Sequence, residues 1–169
     1  MELQHAIRTR RTHKAFAPDP VPPRLLDELL ELGRWAPNHH LTSPWRFRVL
    51  GPQALAALKQ AAEPEAAPKL DRAPTLVVVS SVRAEDPVQD EEDLLASGCA
   101  TYAVLLAAHD RGLAGYWRTP GVLRTPEGLR ALGIPARERF VALVHLGWPR
   151  QDRDPPQRAP LEDIRTFLA

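Results

Sequence analysis

The residues best able to do chemistry lie in three short stretches. The first is Arg10-Arg11-Thr12-His13-Lys14. Clustered guanidinium groups beside a hydroxyl suit a phosphate, because arginine donates bidentate, charge-assisted hydrogen bonds. On its own the stretch reads equally as a solvated basic surface. The second runs from Trp35 through Pro37, Asn38, His39 and His40 to Pro44 and Trp45. Its adjacent histidines invite a metal reading. That reading fails, because the stretch holds no carboxylate or cysteine at ligand spacing. Asn38 is the only asparagine in the chain. The third is Gly112-Leu113-Ala114-Gly115-Tyr116-Trp117-Arg118-Thr119-Pro120-Gly121. Glycine lets backbone approach a ligand closely, and the aromatic residues can wall a planar ring. The plainer reading is a strand followed by a Pro-Gly turn.

Other chemistries are disfavoured. There is no GxGxxG fingerprint and no GxxxxGK[ST] loop, which argues against a Rossmann site and a P-loop. No Ser-His-Asp or Cys-His set stands out. Cys99, the single cysteine, falls within a buried helix pattern and reads as a small core residue. It can form no internal disulfide, which fits a reducing cytoplasm. A net charge of +1 gives no global field, so nucleic acid is not an expected partner. No apolar run reaches membrane-spanning length. No basic region followed by an apolar stretch opens the chain, so no signal peptide is expected.

The elements that must position these stretches follow from periodicity. At 169 residues and 44% hydrophobic, the chain reads as one domain, 1–169, with a substantial core. Residues 2–9 form a short helix leading into the basic stretch. Pro22 and Pro23 open a leucine-rich helix reaching Gly33. Residues 45–49 alternate apolar and basic, as a half-buried strand does. Residues 53–62 are helical. Thr75 to Ser80 is a β-branched run, expected as a central strand covered on both faces. Glu91 to Arg111 is the longest helix. Leu94, Leu95, Gly98, Cys99, Tyr102, Leu105 and Leu106 recur along it, and Ala96, Ala100, Ala103 and Ala107 make its other face small. A helix with so little polar surface needs cover all round, and a second subunit can supply part of it. Residues 114–118 and 140–146 read as strands. Thr125 caps a helix with Pro126 in its first turn. Residues 147–160 are extended, and 161–168 form a possible last helix. This order is mixed rather than a βαβ alternation, which favours an α+β class.

In this order the stretches resemble the FMN-dependent nitroreductase family, most closely its shortest branch. Ala6-Ile7 with Arg10-Arg11-Thr12, Lys14 and Phe16 resembles the family's opening. Val21-Pro22 with Trp35-Ala36-Pro37 is similar to its V-P helix. Pro44-Trp45-Arg46-Phe47 resembles its P-W-x-F strand, and Ala96-Ser97-Gly98-Cys99-Ala100 its central helix. Gly115-Tyr116-Trp117-Arg118-Thr119, His145-Leu146-Gly147-Trp148-Pro149 and Arg158-Ala159-Pro160-Leu161-Glu162 resemble its later motifs. The likeness spans nearly the whole chain and is poorest over 63–90.

The resemblance implies a mixed, mainly antiparallel central sheet flanked by helices, with the long helix at a homodimer interface. It implies FMN, with NADH or NADPH as electron donor and a small acceptor such as a nitroaromatic or quinone. By position Arg10 and Arg158 would bind the FMN phosphate, supported by Arg11 and Thr12. Lys14 would face the N1/O2 edge of the ring. Trp35 and His39 would come from the partner subunit. Trp117, Arg118 and Thr119 would line the ring, with the Thr119 backbone N–H a donor to N5. Leu41 and Ser43 stand where the family commonly has asparagine and glutamine, and Pro120 offers no N–H. A non-catalytic flavin-binding sensor, or a basic-patch interaction module, is the alternative on the same fold.

Overall fold

A computed structural model describes residues 1–152 and 154–168; position 153, within the stretch 147–160 expected to be extended, and position 169 lie outside the described residues. Helix α1 spans Leu3–Thr9 and α2 spans Pro23–Gly33; strand β1 is Trp45–Val49, followed by α3, Pro52–Ala61. Strand β2 is Thr75–Val82, α4 is Pro87–Asp110 and β3 is Ala114–Arg118; α5, Pro126–Ala131, precedes β4, Glu138–Gly147. The strands form one antiparallel sheet in the order β1-β2-β4-β3. A parallel bridge between Thr12 and Gly115 makes the sheet mixed at its β3 edge. The expected α+β class, with a mixed, mainly antiparallel sheet flanked by helices, therefore stands.

β2 is central because both of its faces are apolar. Successive side chains of a strand point to opposite faces, so Val77 and Val79 join one core while Leu76 and Val78 join another. The first core packs α2 and α4 on the sheet through Leu26, Leu29, Val104 and Leu105. The second packs α3 and α5 through Leu58, Leu123, Ile134 and Leu143. Each fully buried leucine stabilises the fold by about 1.5–3 kcal/mol.

α4 departs from expectation in two ways. It begins at Pro87 rather than Glu91, because the Asp86 carboxylate accepts the Gln89 N–H at 2.8 Å and caps the helix. Its small face is turned inward: Ala96, Ala100 and Ala107 are buried against the chain's own sheet and α2. Small residues let the helix lie close to the sheet; a Cβ on Gly115 of β3 would meet Leu105 at 2.5 Å. The face left open carries Val88, Leu95, Cys99 and Tyr102. The helix expected over 161–168 is also corrected. Only a short 3-10 turn, Leu161–Asp163, forms there. Leu161, Ile164, Phe167 and Leu168 are all exposed, and an isolated helix this short lacks the packing that would stabilise it.

Candidate functional site

After α1 the basic stretch becomes extended and is fastened to the β3 edge. Thr12 bridges Gly115, and the His13 N–H donates to the Gly115 carbonyl at 3.3 Å. This anchoring turns the Arg11 side chain inward, where it is only 8% exposed. One terminal nitrogen donates to the carbonyls of Arg8 and Arg10, at 2.8 and 2.6 Å. Its Nε and Nη2 are buried and meet no acceptor among the described residues. Burial lowers the Arg11 pKa, as do the charges of Arg10 and Arg158, with Asp154 opposing. Arg10 lies over the Tyr102 ring at 5.8 Å, and its buried Nε likewise meets no acceptor.

The tail brings Arg158 back to this point from the far end of the sequence. Arg10, Arg11, Thr12 and Arg158 line one cavity of about 280 Å³, with Asp154 and Pro156. Among the described residues, three guanidinium groups face a single carboxylate there. A buried donor without an acceptor costs free energy until a ligand oxygen meets it. The cleft therefore fits a phosphate, whose oxygens accept several charge-assisted bonds at once.

The expected ring-side residues are placed less uniformly. The 10–14 segment runs parallel to β3, so Lys14 follows Thr12 as Trp117 follows Gly115. Lys14 is exposed. Trp117 leans toward α4, where a Cβ on Gly98 would meet its ring at 3.8 Å. The Arg118 side chain is engaged elsewhere: it donates to the Lys69 carbonyl at 2.8 Å and lies 5.8 Å from the Tyr116 ring. Thr119 is exposed at the mouth of a separate cavity.

Trp35 and His39 do not join the arginine cleft of their own chain. Trp35 is 75% exposed, its Nε1 donating to Glu31 at 3.2 Å. His39 stacks on His40 and pairs through Nδ1 with Glu92 of α4 at 2.7 Å. The loop that follows His39 is strained, with His40, Leu41 and Ser43 at φ of 54°, 52° and 47°. Such residues cost of order 1–3 kcal/mol each and persist only where their surroundings fix them. Two polar contacts do so. Asn38 Oδ1 accepts the Ser43 N–H at 2.8 Å, and the Thr42 hydroxyl donates to the buried Asp93 at 2.6 Å. The chain's lone asparagine thus shapes the loop.

Tyr102, Asp154 and Asp93 escaped the reading of the sequence. Tyr102 sits in a periodicity that marks it only as helical, and Asp154 in a stretch with no local motif. Their roles arise from contacts between distant segments.

The model of the nitroreductase family matches residues 7–148. The chain belongs to that family. Among its nitroreductase relatives, YfhC of Bacillus subtilis, provisionally named an NAD(P)H nitroreductase, is 27% identical over 98% of this chain and 94% of its own length. A protein of Thermus thermophilus named NADH dehydrogenase is 28% identical over 97% of this chain and 95% of its own. The nitroreductase-like protein of Bacillus cereus shares the fold at a TM-score of 0.90, with 24% identity and coverage of 99% and 96% of the two chains. A Desulfovibrio desulfuricans protein solved with FMN superposes at 0.83, with 27% identity over 98% of this chain and 96% of its own.

Proposed function

We propose that this nitroreductase-family chain is an FMN-dependent oxidoreductase. It passes electrons from NADH or NADPH to a small acceptor such as a nitroaromatic or quinone. It works in the cytoplasm as a homodimer of single-domain chains. The observation that carries the reading is the set of buried donors that meet no acceptor among the described residues, the Arg10 Nε and the Arg11 Nε and Nη2, beside Arg158 at the edge of the open face of α4. The relatives named above support the cofactor and the electron donor.

When bound, FMN supplies the two-electron chemistry, and the protein binds, orients and tunes it. Arg10, Arg11, Thr12 and Arg158 hold the phosphate. Lys14 faces the N1/O2 edge and offers a cation to the negative charge that reduction develops there. Trp117 and the Thr119 backbone line the ring. Arg118 contributes backbone to the same wall while its guanidinium ties β3 to Lys69. Trp35 and His39 complete the site from the second subunit, whose place is the apolar row Val88, Leu95, Cys99 and Tyr102. Arg10 lies over Tyr102, so the cleft borders that row and subunit pairing encloses it.

The test begins with the colour of the purified protein and the chromatographic identity of any extracted flavin. FMN is expected, and anaerobic NADH or NADPH should bleach it. Recovery of FAD, or no uptake of added FMN, overturns the cofactor. Bound FMN that neither nucleotide reduces overturns the enzyme in favour of a sensor.

A further inference from the structure

A second arginine-lined cavity lies at the start of β4, along the edge that β3 leaves unpaired, with Leu123, Leu129 and Phe140 from the α5 side and Arg83 and Arg139 reaching from the α4 side. It has a volume of about 290 Å³. Its polar lining is Arg83, Arg124, Arg139, Glu138 and Thr119, and its apolar wall is Leu123, Leu129, Phe140 and Val141. The charges do not cancel. Glu138 is matched by Arg48, which donates to both carboxylate oxygens at 2.7 and 2.9 Å. Asp90 is shared between Arg139, which hydrogen-bonds it, and Arg83, 3.9 Å away. The Arg124 guanidinium has no hydrogen bond or ion pair among the described residues. The Arg139 Nε is buried and meets no acceptor among the described residues. One carboxylate therefore serves two arginines, a third is unpaired, and one buried donor awaits an oxygen.

We propose that this cavity is a binding site for a small aromatic carboxylate. Arg124 and the Arg139 Nε supply donors to the carboxylate, where planar guanidinium geometry is an advantage over a point charge. Leu123, Leu129 and Phe140 take the ring, as apolar walls with a few convergent polar groups do in small-molecule sites. A bare inorganic anion would leave that wall uncovered, and a neutral ring would leave the donors unmet. The volume suits one ring rather than a nucleotide.

Calorimetric titration with benzoate tests this, with benzamide as the neutral isostere and inorganic phosphate as the bare anion. Thr119 borders both this cavity and the proposed flavin wall, so the titration is run with and without added FMN; benzoate should bind the FMN-free protein, which keeps failure of this site distinguishable from failure of the flavin reading. Benzoate should bind saturably and the other two should not. Arg124→Ala removes an exposed, unpaired side chain and should leave the thermal melt unchanged while weakening benzoate about tenfold or more. Arg139→Gln should weaken it as well; should that variant fold poorly, Arg124→Ala alone decides. Arg130→Ala, whose exposed side chain pairs with Glu127 outside the cavity, and Arg10→Ala, in the phosphate cleft, should bind benzoate as the parent does. Equal affinity for benzamide or phosphate, an unaffected Arg124→Ala, or loss of binding in Arg10→Ala would each overturn the site.

Discussion

At the scale of single residues, two of the places where buried polar groups lack partners among the described residues carry predictions, for different reasons. Arg10 and Arg11 bury donors that meet no acceptor among the described residues, where an anion is expected. Arg10→Ala removes charge-assisted bonds worth roughly 1.5–3 kcal/mol, so FMN affinity should fall by about one to two decades in a fluorescence-quenching titration. Arg24→Ala, whose side chain is 95% exposed on α2, is the control. Equal affinities in the two variants would remove Arg10 from the site. His145 is the other case. It is fully buried on β4, with neither ring nitrogen bonded among the described residues. Desolvation first, then the charges of Arg118 and Arg72, push its pKa down to about 3. The unfolded chain takes up a proton near pH 6.5, so between about pH 6.5 and 3 the unfolded state binds more protons. Stability then falls with falling pH by about 1.4 kcal/mol per unit from this group. His145→Leu should flatten that slope, which urea melts at pH 7.5 and pH 5.0 would read. A slope identical to the parent's would mean that His145 does not set the acid limit.

At the scale of elements, local chemistry and close packing meet in the short helix α5. The Thr125 hydroxyl accepts the Gly128 N–H at 3.2 Å and caps it. A Cβ on Gly128 would sit 1.9 Å from the Val122 carbonyl oxygen. That contact is with backbone, so the turn Gly121–Arg124 must shift and the cap must loosen. Gly128→Ala should cost about 2–3 kcal/mol, roughly 5–10 °C in Tm. Gly121→Ala, where a Cβ meets nothing within 4 Å, should melt near the parent. Were both variants to melt alike in a calorimetric scan, the close approach of α5 to that turn would not be what the glycine serves. The same elements explain what was readable in advance. Strand β2 announced itself because a β-branched run fits only a strand covered on both faces. The Thr125-Pro126 start of α5 did so because capping is local. The beginning of α4 was missed by a turn, since Asp86 and Pro87 precede any apolar period.

At the scale of the whole molecule, the open face of α4 and the exposed apolar tail together predict pairing. Leu95 is 65% exposed in the isolated chain, so Leu95→Glu should leave the subunit folded. In a dimer it would bury an unpaired carboxylate, at a cost of several kcal/mol. Light scattering with in-line flavin absorbance should show a monomer that has lost FMN, with circular dichroism unchanged. A monomer that keeps one FMN per chain would show that each chain builds its own site. Ala103→Glu, on the flank where α4 turns its small residues inward, is the poorer variant, because it perturbs folding as well.

The sequence by itself determined the class of the fold, the strand at its centre, the long helix with little polar surface, and the basic stretch at residues 10–14. Each of these rests on period, propensity or local donor chemistry, which act over a few residues. Only the tertiary structure decided which face of α4 is free. Amphipathicity cannot order two apolar faces when one is small and the other large. Nor could spacing show that Arg158 returns to Arg10 and Arg11, that Tyr102 lies beneath Arg10, or that the Arg118 side chain is engaged by Lys69. Those are encounters between segments far apart in the chain, and their cause is the packing of the sheet and its helices, which no local pattern encodes.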